Sequence, residues 1–192
     1  MYLPTIRREK YLLRPWDPSD ARSLVKHANN AKIARNLRDG FPYPYTTKDA
    51  TQWLKMVKEN KTDMILAIEV KGEAAGGIGL HSMKDVYRYN AELGYWLSEQ
   101  YWGMGIISDA IGVVVDHAFT HTRWLRVFAN IYEYNTPSMR VLEKNGFTRE
   151  AIHRKAVMKE GKLVDEHLYA LLKEQWIALR GSRAGDGHVP GL

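Results

Sequence analysis

Gln100-Tyr101-Trp102-Gly103-Met104-Gly105 follows a strand-like run at residues 91–97 and precedes an apolar helical run at residues 106–119. Strand, glycine turn and helix start together aim several backbone N–H groups at one point, and the helix dipole adds positive potential there. The two glycines leave room for a ligand against the main chain. The stretch predicts an anion site made of backbone groups, suited to a pyrophosphate-bearing ligand. Taken alone, it also fits an ordinary tight turn before a helix. Two other phosphate motifs are absent. No G-x-x-x-x-G-K-[ST] occurs, and Gly77-Ile78-Gly79 lacks the third glycine and the long following helix of a dinucleotide site.

A second block lies 30 residues beyond Gly105: Asn135-Thr136-Pro137-Ser138-Met139-Arg140-Val141-Leu142-Glu143-Lys144-Asn145-Gly146-Phe147. Asparagine before Thr-Pro is a strong helix start, and Gly146 suits a helix end. In order and spacing, Q-x-x-G-x-G after one strand and N-x-x-S-x-x-V-L-E-K-N-G-F after the next resemble the GNAT superfamily of acyl-CoA N-acyltransferases. Phe41-Pro42-Tyr43-Pro44-Tyr45-Thr46 and Leu13-Arg14-Pro15 are similar to the branch containing the ribosomal-protein N-terminal acetyltransferases. The resemblance covers residues 11–176.

Composition sets the outer bounds. A chain of 192 residues with 45% hydrophobic and 26% charged residues suits one globular domain with a sizeable core. No apolar run approaches the ~20 residues that cross a bilayer, and residues 1–8 carry no apolar signal core. The expected compartment is the cytoplasm. Zero cysteines exclude disulfides, thiolate metal sites and a cysteine nucleophile. The net charge of +6 comes from scattered basic residues that form no continuous stripe, which argues against nucleic acid as the main partner. It also suits steering of a polyphosphate ligand. Asn60-Lys61-Thr62 matches a glycosylation sequon, which without a secretory signal reads as chance.

Along the chain, a first strand is expected at residues 11–16, a helix at 18–28, a short helix at 31–37 and an aromatic loop at 41–45, where alternate prolines forbid regular helix. A helix opens at Thr47, with Trp53, Met56 and Val57 on one face. Strands follow at 64–70, 74–83 and 89–97, and the main helix at 106–122 presents Ile107, Ile111, Val114, Val115 and Ala118. A strand at 125–131, a helix at 136–145 and a hairpin of 147–157 with 163–172 complete one domain at 1–180. Residues 181–192 are Gly-rich and aperiodic and are expected to be a disordered tail. The order β-α-α-α-β-β-β-α-β-α-β-β gives an α/β domain with a mixed, strongly twisted sheet flanked by helices.

What the resemblance implies is more specific. Two neighbouring parallel strands, residues 92–97 and 125–131, would splay apart to admit the pantetheine arm of acetyl-CoA, the co-substrate; no metal is required. Backbone groups of Tyr95, Trp96 and Leu97 would pair with that arm, with the Leu97 N–H on the thioester oxygen. Gln100 and the N–H groups of Tyr101, Trp102, Gly103, Met104, Gly105 and Ile106 would cradle the pyrophosphate, and the Ser108 hydroxyl would add a contact or serve as a plain first-turn residue. Asn135 would bond the pantetheine amide as well as cap its helix. Ser138 is the candidate acid, or positioning group, for the departing sulfur. Glu92 is the candidate base and His81 the runner-up, since an imidazole titrates near neutrality; a water chain is the third option. Asp165 and Tyr169 would line the acceptor side. The function implied is acetyl transfer to a primary amine, a protein N-terminus or a small molecule, by a monomer or homodimer away from membranes. The alternative is an acyl-CoA sensor of the same fold.

Overall fold

The computed structural model describes residues 4–185. In chain order the elements are β1 (Ile6–Arg7), β2 (Leu12–Pro15), α1 (Ala21–Ala28), α2 (Ala31–Ala34), α3 (Thr47–Glu59), β3 (Met64–Val70), β4 (Glu73–Ser82), β5 (Asn90–Leu97), α4 (Ile106–His121), β6 (Arg126–Tyr132), α5 (Thr136–Lys144), β7 (Thr148–Lys159), β8 (Lys162–Leu172) and α6 (Lys173–Gly185). All eight strands join one sheet in the order β1-β2-β3-β4-β5-β6-β8-β7. Every pairing is antiparallel except that of β5 with β6. The domain is α/β with a mixed sheet, as the element order predicts.

The helices divide between the two sheet faces. On one, α4 buries Ile106, Ala110, Ile111, Val114, Val115, Ala118 and Phe119. They pack with Leu93 and Leu97 of β5 and Val127, Ala129 and Ile131 of β6. Each large side chain buried there is worth about 1.5–3 kcal/mol. The stripe starts at Ile106; Ile107, placed on it by spacing, is only half-buried. On the other face, Leu24 and Ala28 of α1 meet Ala50 and Leu54 of α3 and Tyr45. A reciprocal capping box between Thr46 and Asp49 starts α3. Its buried stripe is Ala50, Leu54 and Val57, and Met56, expected there, is exposed.

Two elements depart from the sequence expectation. The two-residue β1 pairs with β2 and is too short to leave a periodic signal. The chain beyond Leu172 continues as α6 through Gly185, so the expected disordered tail is corrected for residues 181–185. That helix is docked by Trp176, whose indole N–H donates to Asp116 Oδ1 at 2.5 Å and whose ring meets Phe119. Residues 186–192 of the expected tail lie outside the described residues. The short helix expected to reach residue 37 stops at Ala34 after one turn. No helix among the described residues is long and apolar enough to cross a membrane.

Candidate functional site

The site is built where β5 and β6 part. They pair only through Asn90↔Arg126, Ala91↔Val127 and Glu92↔Phe128. Beyond Glu92, β5 continues to Leu97 against β4 alone, while β6 runs with β8 along its whole length. Backbone direction follows from the ladder. The Ser98 N–H donates to Ala75 O at 2.8 Å and Asn90 O accepts from Met83, so even-numbered residues of β5 turn their polar groups to β4. Odd-numbered ones turn to the β6 side, as Tyr89 O does in accepting from Leu125. The N–H groups of Tyr95 and Leu97 therefore point into the gap, where no strand meets them. Trp96, expected to offer backbone groups there, turns them to β4 opposite Gly77. Its side chain forms the cleft wall instead, with the indole so close to Gly77 that a Cβ there would stand 2.9 Å from Nε1. The Leu97 carbonyl accepts from Trp102 Nε1 at 2.7 Å, which ties the glycine turn back to the strand end.

The turn delivers its N–H groups later than the motif suggests. Tyr101 N–H donates to Ser98 O and Trp102 N–H to Glu99 O, so both are spent inside a single 3₁₀ turn. Gly103 and Gly105 then take left-handed φ values of 74° and 78°, which glycine adopts without strain. Gly105 is the N-cap of α4 and offers no side-chain acceptor to the first-turn N–H groups. The first N–H in the stretch to find a backbone acceptor again is that of Asp109, on Gly105 O. The N–H groups from Gly103 to Ser108 thus have no backbone acceptor among the described residues. A Cβ added at either glycine would meet nothing within 4 Å, so the space in front of the turn is open. Ser108 Oγ accepts from Asn145 Nδ2 at 3.4 Å. Gln100 reaches back, its Nε2 lying 3.4 Å from His27 Nδ1. His27 is buried and is held by Glu73 at 2.8 Å and Ser98 at 3.1 Å.

At the other side of the gap, Asn135 caps α5, its Oδ1 accepting from the Ser138 N–H at 3.4 Å. Ser138 is buried, and its Oγ lies 2.5 Å from Tyr95 Oη. This contact joins β5 to α5 across 43 residues of sequence. Burial, only partly offset by the bond with Ser138, pushes the Tyr95 phenol up to about 12. The Tyr95 phenol is therefore protonated at neutral pH. Sequence reasoning placed its backbone at the site and missed its hydroxyl.

The opposite face of the gap opens into a cavity of about 870 Å³. Gly77, Gly79 and His81 of β4, Glu92, Gly94 and Trp96 of β5, and Asn130 and Tyr132 of β6 line it. Phe41, Tyr45 and Trp53 wall it from the loop and α3. That loop is fastened by Lys159 Nζ, which donates to Leu37 O and Asp39 Oδ1 at 2.6 Å each. Glu92 and His81 face each other in register. Glu92 Oε1 accepts from Arg38 Nη2 at 2.5 Å and from Asn130 Nδ2 at 3.4 Å. Asn130 Oδ1 is buried without a hydrogen-bond partner. His81 Nδ1 lies 3.1 Å from Asp63 Oδ2. The two residues of β8 expected at the acceptor side are not there. Tyr169 points to the α5 side, where its hydroxyl donates to Glu143 at 2.9 Å. Asp165 accepts from Arg154 and the Lys155 N–H. Glu166, between them and in opposite phase, lines the cavity.

A model of the acetyltransferase (GNAT) domain family matches residues 10–148. The chain is 25% identical over 180 residues to the uncharacterized N-acetyltransferase p20 of Bacillus licheniformis, covering 91% of this chain and 99% of that one. It is 34% identical over 105 residues to the putative ribosomal N-acetyltransferase YdaF of Bacillus subtilis (strain 168), covering 55% of this chain and 57% of that one. Among solved structures, a ribosomal L7/L12 alpha-N-protein acetyltransferase in complex with coenzyme A has the same fold. It superposes with a TM-score of 0.79 at 22% identity, covering 88% of this chain and 98% of that one.

Proposed function

The chain belongs to the GNAT family of acetyltransferases and is an acetyl-CoA-dependent N-acetyltransferase, and on that premise we propose that it transfers the acetyl group directly to a primary amine, on a protein N-terminus or a small molecule. The observation that carries the reading is the opening of β5 from β6 beyond Glu92. It leaves the N–H groups of Tyr95 and Leu97 facing a gap that ends at the glycine turn. An extended amide-bearing chain such as pantetheine completes that ladder, as an added strand would. The N–H groups from Gly103 to Ser108 suit its pyrophosphate.

The chemistry then divides across the sheet. The Leu97 N–H donates to the thioester oxygen as negative charge develops there. The amine enters from the aromatic cavity and must lose a proton as its nitrogen bonds the acyl carbon. Glu92 of β5 and His81 of β4, opposite each other in register, are the proton acceptors we assign to it, among lining carboxylates that include Asp49 and Glu166. The C–S bond breaks toward α5, and the sulfur leaves with the electron pair. The Ser138 hydroxyl lies at that end and donates to the sulfur, while the Tyr95 hydroxyl donates to Ser138 Oγ and makes up for the poor acidity of a lone serine. Asn135 orients Ser138 and offers its amide to the pantetheine.

Two measurements test the reading. Calorimetry with acetyl-CoA should show binding by the wild type and weakened binding by Gly105→Ala, with a thermal melt to confirm folding. A turnover screen should cover peptides of different N-termini, polyamines, amino acids and aminoglycosides. Absence of acetyl-CoA binding, or undiminished affinity in a folded Gly105→Ala, would contradict the placement.

A further inference from the structure

His81 is oriented by a group that no sequence motif contains. Asp63 sits where the turn after α3 enters β3, and both of its oxygens are occupied. Oδ1 accepts the Ser82 N–H at 2.9 Å, and Oδ2 accepts Asn60 Nδ2 at 2.9 Å and faces His81 Nδ1 at 3.1 Å. The turn itself is locked by Asn60 Oδ1, which accepts the N–H groups of Thr62 and Asp63 at 2.9 Å each. Burial works to raise the Asp63 carboxyl, but the hydrogen bonds from Ser82, Asn60 and His81 outweigh it and hold the group below its ordinary value. An ionised carboxylate only accepts. A neutral imidazole beside it must carry its proton on Nδ1 and leave the Nε2 lone pair free.

The geometry puts that lone pair in the cavity. A Cβ on Gly79 would stand 3.5 Å from His81 Nε2, and one on Gly94 3.7 Å. Neither residue has a side chain, so the ring lies over bare backbone with Nε2 exposed to the cavity floor. No protein partner of Nε2 occurs among the described residues. The charged groups facing the ring from neighbouring elements are Asp63 at β3 and Glu92 of β5, with Arg38 behind Glu92. Asp49 of α3 and Glu166 of β8 line the same cavity. Glu92 is tied to Arg38, so protonating it means breaking an ion pair. Nε2 of His81 has nothing to break.

We propose that Asp63 is a positioning residue that selects the Nδ1–H tautomer of His81, so that Nε2 takes the proton from the acceptor amine. The amine gives one proton to Nε2 as its nitrogen bonds the acyl carbon, and the imidazolium so formed is stabilised by Asp63 and later releases its proton to water. The inference rests on the acetyl-transfer reading above and names the base within it.

The test uses the full chain labelled with ¹⁵N-histidine, with His81→Gln to assign the His81 signals, and long-range ¹H–¹⁵N spectra above the imidazole pKa. The wild type should show His81 protonated on Nδ1. Asp63→Asn keeps an oxygen for the Ser82 N–H but presents an amide N–H₂ to Nδ1, which should move the proton to Nε2. Asn60→Ala breaks the same turn while leaving the carboxylate, so it should keep the Nδ1–H form. With acetyl-CoA and an amine that the turnover screen shows to be acetylated, Asp63→Asn should lower kcat at least ~10-fold, since a positioned general base contributes roughly 10²–10⁴-fold. It should also remove the imidazole limb of the pH profile, whereas Asn60→Ala keeps that limb. A wild-type His81 protonated on Nε2 would overturn the proposal, and so would the same tautomer and pH profile in both variants. If wild type acetylates no amine at all, the acetyl-transfer reading falls, while the tautomer result still decides whether Asp63 sets the ring.

Discussion

The two halves of β5 differ in one respect that decides what the molecule can do. From Asn90 to Glu92 the strand is bonded on both sides, to β4 and to β6. From Gly94 to Leu97 it is bonded to β4 only, although Leu97 is buried as Ala91 is. Packing is therefore continuous along the strand, while hydrogen bonding is not. A buried strand edge with unmet N–H groups is costly. Here α4 packs against both strands, and β8 pairs with β6 along its whole length on the far edge. On the proposed reading the closed half is scaffold, and the open half is the strand position that the cofactor would complete.

That contrast can be broken from the closed side first. Ala91 is fully buried where β5 is bonded on both edges. Ala91→Asp would bury an unpaired carboxyl and should cost several kcal/mol, about 3 or more, enough to unfold much of the population. Chemical denaturation reads this; a cost under ~1 kcal/mol would mean the closed half is not rigid. On the open side, Ser138→Ala removes the buried bond to Tyr95 and should cost about 1–3 kcal/mol, and it should lower kcat by ~10- to 100-fold with little change in the KM for acetyl-CoA, at or below the low end of acid–base effects. Unchanged kcat would reduce Ser138 to scaffold. Trp102→Phe removes the indole N–H from the Leu97 carbonyl. It should cost about 0.5–1.5 kcal/mol by thermal melting and weaken acetyl-CoA binding, because the glycine turn loses its anchor to the strand.

The smallest effect concerns the clamp at the head of α4. Asp109 accepts from Arg8 at 2.8 and 2.9 Å and from Tyr11 Oη at 2.8 Å. The Arg8 bond lowers its pKa against the opposing effect of burial. A carboxyl depressed on folding stabilises the native state above its unfolded pKa and loses that contribution as pH falls through the folded value. Melting temperature should therefore drop as pH falls below about 4, the ordinary aspartate value, and Asp109→Asn should flatten part of that drop. An identical acid profile in the variant would show that the clamp does not act through ionisation.

Much of this is legible in the sequence, and the limit has a physical cause. The strand, glycine turn and helix start are local, so residue order and spacing alone place Gly103 and Gly105. The same holds for Asn135 as a cap three residues before Ser138. Partners joined across the sheet cannot be read in this way. Tyr95 with Ser138, Asp63 with His81 and Arg38 with Glu92 depend on register and rotamer, which no short spacing encodes. Alternation on β8 reads in the wrong phase from sequence, so Asp165 and Tyr169 are expected where Glu166 stands, because a one-residue shift exchanges the faces of a strand. The spent N–H groups of Tyr101 and Trp102 are hidden for a similar reason: a single 3₁₀ turn leaves no periodic signal.

The central claim is that a ligand supplies the missing partner of the open half of β5. Residue-resolved amide exchange at Tyr95 and Leu97, with and without acetyl-CoA, addresses it directly. In the free protein both amides should exchange much faster than those of Trp96 and Ser98, which are bonded to β4. Saturating acetyl-CoA should slow Tyr95 and Leu97 selectively, together with the amides from Gly103 to Ser108. Protection at Tyr95 and Leu97 without ligand, or no change on its addition while binding is independently seen, would contradict the account.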